Sequence, residues 1–230
     1  MTSPVLPLFG FLLLAGCGGN GSGPMTTPPP QRSAFDAQLA RGTALTGQLD
    51  DMDPTRFSAM PTSGTATFSG VASLSVDPVE ATVTDDILVL GDVTATADFG
   101  QGTLRGRVEN LQGGRSVAGR AREAVPVSGS LQIGTRESVI GNDRDDNRVS
   151  RPNGFYVDYR GQITLPDGTY AVDGAVAGQF IGTRTGAGVM PIRGLSGAGE
   201  GVAARGTEGT PGFVEYGADL DIAGLTPARP

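Results

Sequence analysis

The sequence predicts an all-β fold: an eight-stranded antiparallel β-barrel preceded by a short helix and a disordered tether. Three observations predict it. From Thr65 onward apolar residues recur with a period of two. Glycines fall inside these alternating stretches, on their apolar face. No helical period of useful length separates one stretch from the next, so the connections are antiparallel hairpins or meanders.

The elements follow in chain order. Residues 1–16 read as an export signal, because Val5–Leu14 is apolar, uncharged and too short to span a bilayer. The n-region Met1-Thr2-Ser3-Pro4 carries no Arg or Lys. Leu14-Ala15-Gly16-Cys17 resembles the lipobox of bacterial lipoproteins, and Cys17 is the single cysteine. That resemblance implies cleavage before Cys17, acylation of its thiol (palmitate among the chains) and attachment to a membrane. Gly18, where an aspartate would retain such a protein at the inner membrane, implies the cell outer membrane. Residues 17–32 are Gly/Ser-rich and then Pro-rich, the composition of a tether.

Residues 33–60 are expected to hold a short helix and a connector. Ser33–Leu49 reads as the helix: Ser33 with Asp36 resembles a capping box, and Phe35 and Leu39 share a face at i, i+4, while Gly42 and Gly47 weaken it. Residues 61–225 are expected to form the barrel, with 226–230 a tail. Strands are expected at Thr65–Val76, Ile87–Phe99, Thr103–Glu109, Val125–Ile133, Phe155–Ile163, Tyr170–Phe180 and Val214–Ile222, with an eighth, poorer match at Gly188–Arg193. Glycine weakens a strand unless a sharp bend needs it. Gly70, Gly91, Gly106, Gly129, Gly161, Gly174 and Gly178 lie on the apolar face, which favours a sheet closed on itself over an open sandwich. The polar face carries Arg105, Arg107, Glu109, Asp158, Arg160, Asp173, Asp219 and Asp221. With no tryptophan and only 4 tyrosines there is no aromatic girdle, so the apolar face is expected to point inward, away from lipid.

Composition narrows function by removing parts. There is no histidine, and with Cys17 committed to the anchor, zinc, haem and thiol chemistry lose their usual ligands, so no cofactor is expected. All 17 basic residues are arginine, spread along the chain, and the net charge is −7, which argues against a nucleic-acid partner. Asp143, Asp145 and Asn147 open a calcium-loop pattern. Arg148 and Gly154 then stand where it wants glycine and glutamate, so a polar loop is the stronger reading. The G-x-G-x-x-A match within Gly197–Ala204, which starts at Gly199, lacks a βαβ context. The pairs Asp158 with Asp173 and Asp219 with Asp221 read as charge partners on a solvated face, and no base is present to activate a serine or threonine. An enzyme is therefore not expected. Tyr170 and Tyr216 fit the core better than a contact patch with Tyr156 and Phe213.

Two segments carry a further resemblance. Pro61–Gly70, with Gly64, Phe68 and Gly70, resembles the opening barrel strand of transferrin-binding protein B and its surface-lipoprotein relatives. Gly178-Gln179-Phe180-Ile181-Gly182 resembles the Gly-x-Phe-x-Gly segment near the end of that barrel. Thr183-Arg184-Thr185 then departs from the family's continuation. The resemblance implies a surface-lipoprotein barrel over residues 60–225 that binds a protein or solute at the cell envelope. The candidate contact surfaces are Gln112–Ala124, Ile140–Pro152 and Gly194–Gly209. A structural or assembly lipoprotein, and a calycin-like carrier of a small apolar ligand inside the barrel, are the alternatives.

Overall fold

The computed structural model describes residues 30–77, 87–117, 120–141, 149, 151–182 and 192–227. The chain begins with α1 (Pro30–Asp50). A short strand β1 (Asp53–Pro54) and a single 3-10 turn (Phe57–Ala59) follow it. Nine strands come next: β2 (Thr65–Asp77), β3 (Ile87–Asp98), β4 (Thr103–Val117), β5 (Arg120–Val125), β6 (Ser128–Ile140), β7 (Gly154–Leu165), β8 (Gly168–Gly182), β9 (Ile192–Arg205) and β10 (Val214–Leu225).

Eight of these close into an antiparallel barrel. The ring runs β2-β3-β4-β6-β7-β8-β9-β10 and returns to β2 through the pairing of Ala218 with Val76 and Leu220 with Leu74. Every barrel strand lies beside its nearest barrel neighbours in sequence. The excursion β5 pairs with the far half of β4 while β6 takes the near half. The alternation sends Phe68, Leu74, Val89, Val93, Leu104, Val108, Leu131, Val157, Ile163, Val176 and Leu220 into a single interior core. Arg105 and Arg107 stay exposed on the outer wall.

Several boundaries differ from expectation. The helix expected at Ser33–Leu49 runs from Pro30 to Asp50, three residues earlier and one later. Ser33 lies one turn inside it, so the Ser33/Asp36 pair is not its cap. A proline at the first helical position has no N–H to lose there and a φ already suited to the turn. The eighth strand is Ile192–Arg205, which the expected stretch Gly188–Arg193 meets at Ile192 and Arg193; residues 188–191 lie outside the described residues. The stretch Val125–Ile133 is two strands, broken at Pro126 and Val127, and β4 runs on to Val117.

The helix crosses the outer wall along a narrow stripe. Phe35, Gln38, Gly42, Leu45 and Leu49 are buried at spacings of three or four residues. Glycines let it sit close. A Cβ on Gly114 of β4 would lie 2.5 Å from the Phe35 ring, and one on Gly194 of β9 would lie 2.5 Å from Leu49 Cδ2. Leu45 and Leu49 pack with Val71, Ile181 and Ala223, which are outward-facing barrel residues. Asp92 on β3 pins the helix laterally, accepting hydrogen bonds from Gln38 Nε2 (3.3 Å), Arg41 Nη2 and Asn110 Nδ2 (2.8 Å).

Candidate functional site

The two ends of the barrel are the natural places for a ligand to enter, and both are closed by side chains. At one end, which we call the Phe rim, the two motif segments meet although more than a hundred residues separate them. Phe68 and Phe180 lie with ring centroids 5.8 Å apart, and Phe99 and Phe155 each approach Phe180 to 5.5 Å. Gly64 has φ +83° and its carbonyl accepts from Phe99 N–H at 2.9 Å, which joins the start of β2 to the turn after β3. Gly70 leaves room for the backbone of β10, where Gly224 Cα would lie 2.7 Å from an added Cβ. Gly178 leaves room for the Phe155 ring and for Gly197 Cα, 2.6 Å from an added Cβ. Gly182 pairs with Ile192 and with Asp53.

The connector after the helix seals this rim. β1 adds to the end of β8 at Ile181 and Gly182. Thr55 N–H then donates to Phe180 O (2.9 Å), Phe180 N–H to Asn153 O (2.8 Å), and Asn153 Nδ2 to Thr55 O (2.9 Å). Thr55 and Asn153 are buried.

The opposite end, the Tyr rim, is closed by Tyr170 and Tyr216, with centroids 5.6 Å apart. Tyr170 is fully buried and its hydroxyl donates to Asp167 Oδ2. Burial first, then the Asp167 bond, raises its pKa above the ordinary phenol value. The Arg205 guanidinium lies over the Tyr170 ring at 5.3 Å and donates to the Asp167 carbonyl. Tyr170 is thus a core residue.

Between the rims the interior is filled. The cavity lined by Ala72, Leu74, Val89, Gly91, Val108, Leu111, Leu131, Ile163 and Leu220 holds about 10 Å³, the room of roughly one water. A carrier of an apolar ligand needs several hundred cubic ångströms; this cavity among the described residues is far smaller, which weighs against the calycin-like alternative. Large residues reach across the barrel to fill it. Tyr159 is buried on β7, its hydroxyl donates to Ala218 O on β10 at 3.2 Å, and desolvation raises its pKa. A Cβ on Gly174 would lie 2.5 Å from Tyr159 Cζ, so the ring occupies space a side chain there would fill.

The outer wall carries the paired carboxylates. Between Ile133 and Ser138 the register of β6 against β7 slips, and residues 134–137 stand opposite Asp158 alone. Gly134 supports the bulge with φ +69°. The bulge folds over Asp158, which is only 4% exposed. Asp158 accepts from the backbone N–H of Arg136 (3.0 Å) and Glu137 (2.9 Å), from Thr135 Oγ1 (3.2 Å) and from Arg136 Nε (3.3 Å). Arg136 also donates to Asp173. Bonds to Asp173 and then Asp158 raise the arginine's pKa. Asp158 and Asp173 are therefore charge partners bridged by one guanidinium. Ser138 repairs the adjoining ladder, its Oγ accepting from Leu104 N–H (2.6 Å) and donating to Leu104 O (2.7 Å). The other pair differs. Asp221 lies half-buried against the helix, beside a 20 Å³ space lined by Leu39, Gly42, Thr46 and Val71. Desolvation, with repulsion from Asp219, pushes its pKa up to about 6.

The three candidate loops do not form one surface. The described ends of Ile140–Pro152 lie at the Phe rim, and the described parts of Gln112–Ala124, mostly strands β4 and β5, at the Tyr rim. Most of Gly194–Gly209 is strand β9, with only its last residues in a turn at the Tyr rim. The described parts of the wall instead offer two concave surfaces. An open groove of about 700 Å³ is lined by Ser130, Gln132, Arg160, Gln162 and Asp173 on β6, β7 and β8. A second, of about 340 Å³, lies at the Tyr rim between Gln31, Leu111, Val125, Val127 and Leu165. Leu14, Ala15, Gly16 and Cys17, and the calcium-loop candidates Asp143, Asp145 and Asn147, lie outside the described residues. No described helix is long and apolar enough to cross a membrane. The helix stripe and the Asp92 node escaped the sequence reading. Their signal was Phe35, Gly42 and Leu49 at sevenfold spacing.

Taken together, the fold defines a closed eight-stranded antiparallel barrel with a filled interior and one helix on its outer wall. No family model and no curated protein matches the chain. Among solved structures it is similar to a Trp-176-Ala mutant of the vaccine antigen transferrin-binding protein B from Haemophilus parasuis Hp5. The identity is 15% and the TM-score 0.39, over 76% of this chain and 29% of that chain. The chain thus spans less than a third of that protein's length.

Proposed function

We propose that this chain is a lipid-anchored, non-enzymatic binding protein of the bacterial outer membrane, built on a barrel of the transferrin-binding protein B kind. The observation that carries the binding reading is the filled interior. Both rims are capped by aromatic residues and the core cavity holds about 10 Å³, so a ligand is taken on the outside. Exterior recognition by loops and walls on a rigid scaffold suits a protein or a solute too large to enter. Anchoring rests on the single cysteine after Leu14-Ala15-Gly16 and on the apolar, uncharged run before it. The non-enzymatic reading rests on the missing histidine and on Arg136, which occupies both Asp158 and Asp173.

The test has two arms. Cys17→Ser in the expressed full chain removes the added acyl mass. Native mass spectrometry of the wild-type protein returns polypeptide plus anchor, with no retained small ligand. Because Cys17→Ser also leaves the apolar run uncleaved, the acyl mass decides: a wild-type chain without it, or a Cys17→Ser chain that still carries it, overturns the anchor. A co-purifying apolar molecule overturns the exterior-binding reading.

A further inference from the structure

We infer that the Tyr rim faces the bilayer and that the Phe rim, with the exposed Phe57 in its connector, faces away from it. This inference rests on the anchor at Cys17 proposed above. The direction of α1 carries it. The helix begins at the Tyr rim, where Gln31 lines the groove beside Val125, Val127 and Leu165. It passes Gly114 at Phe35 and Val71 at Gly42, and ends at the Phe rim, where Leu49 meets Gly194. Its 21 residues make about 31 Å at 1.5 Å per residue, so the helix spans the wall from rim to rim.

The anchor therefore joins the barrel at the Tyr rim. Thirteen residues, Cys17 to Pro29, separate the thiol from the helix. With its Gly/Ser half counted as a flexible coil and its Pro-rich half as either coil or extended, a segment of this composition and length has a mean span of about 20–25 Å, shorter than the helix. Bringing the Phe rim to the lipid requires the tether to double back over the full height of the wall. Leaving the Tyr rim near the lipid requires nothing. Among the described residues the two rims also differ in what they expose. Phe57 is 56% exposed in the connector of the Phe rim, while the Tyr-rim turn Gly206–Phe213 is folded on itself through Thr210 N–H to Thr207 O (3.0 Å) and Phe213 N–H to Thr210 O (3.1 Å). An exposed aromatic ring is a common anchor of protein interfaces, and this arrangement holds it clear of the headgroups.

The experiment uses the lipidated full chain in phosphatidylethanolamine/phosphatidylglycerol vesicles. Its thiol is acylated, so one added cysteine takes a single fluorophore. Glu208→Cys marks the Tyr rim and Thr62→Cys the Phe rim, both at exposed positions. A quencher on the lipid headgroups is expected to remove most of the emission from position 208 and to spare most of it at 62. Equal quenching at the two positions, or stronger quenching at 62, overturns the orientation; the second result places the Phe rim and Phe57 against the lipid. Vesicle flotation reads the anchor separately. If the wild-type chain fails to float, the anchor and the orientation both fall, whereas a floating chain with equal quenching refutes the orientation alone.

Discussion

Gly178 sits where β8, β9 and the Phe155 ring converge, and replacing it with alanine tests whether glycine on the inner face permits closure. Gly178 pairs with Gly197 on β9 and with Phe155 on β7. An added Cβ runs into Ser196 O and Phe155 Cζ, and lies 2.6 Å from Gly197 Cα. Two of these three obstacles are backbone atoms of the neighbouring strand, which cannot move without parting the ladder. Overpacking of this kind costs about 1–3 kcal/mol, and the backbone obstacles put Gly178→Ala at the upper end, about 3 kcal/mol. For a domain of this size that lowers the melting temperature by about 6–12 °C. Gly217 on β10 is the control. It is exposed, and nothing lies within 4 Å of an added Cβ. There alanine relieves only the entropic weakness of glycine and stabilises by about 0.5–1 kcal/mol. Urea and thermal unfolding of the two variants therefore move in opposite directions. If Gly178→Ala loses no more stability than Gly217→Ala, the inner-face glycines are not there for close approach and the closure argument is wrong.

The pH response of Asp221 follows from its burial. Its folded-state pKa of about 6 lies above the unfolded value of about 3.9. Its contribution is therefore fully present below about pH 4 and is lost as pH rises through 6. Asp221 still meets water, so after solvent screening the effect is on the order of 1 kcal/mol. Asp221→Asn is expected to flatten the slope of stability between pH 4 and 6 and to raise stability at pH 7; an unchanged slope in denaturant titrations refutes it. Phe35→Ala tests whether the helix is a separable layer: truncating a buried phenylalanine costs about 3 kcal/mol or more, which accelerates exchange of the α1 amides roughly a hundredfold. Barrel amides stay protected by their own ladder, and an equal loss of protection there would show that helix and barrel unfold as one.

Where a strand lines its inner face with bulky residues, the sequence announces it. β2, β3, β7 and β8 read clearly because Phe68, Leu74, Val89, Val93, Val157, Ile163, Tyr170 and Val176 alternate with polar residues. β9 does not, because three consecutive inward positions, Gly197, Gly199 and Gly201, have no side chain. A hydrophobic count sees nothing there, yet glycine at every second position is itself a period of two. β4 was cut short for a different reason. At Asn110, with φ +54°, the register against β3 slips and the inward face changes from even to odd positions, passing from Val108 to Leu111. A strand that changes parity looks, in sequence, like a strand that ends. The motif residues were legible as spacings, but the contact between Phe68 and Phe180 was not, since only ring closure brings β2 and β8 to one rim. The carboxylate pairs were legible as charge partners only in part. The bulge that buries Asp158 depends on backbone N–H groups that no residue pattern displays.

The glycines of β8 and β9 and the aromatics of β7 are two halves of one device. Gly174 and Gly201 make room for Tyr159, and Gly178 and Gly197 make room for Phe155. Without side chains at Gly174, Gly178, Gly197, Gly199 and Gly201, the adjacent middle stretches of β8 and β9 would by themselves leave a trough along the barrel wall, an apolar slot of the kind a carrier uses. Instead the neighbouring strand lays two rings into it, and Tyr159 reaches over both strands to the backbone of β10. A glycine-rich lining is therefore no sign of a hollow barrel; the question is whether aromatic residues stand beside it at matching register. Here Tyr159 pairs with Gly174 and Phe155 with Gly178, so the space is claimed before any ligand arrives. The interior is thereby closed to a ligand, and the concave surfaces that the described residues leave open lie on the walls and rims.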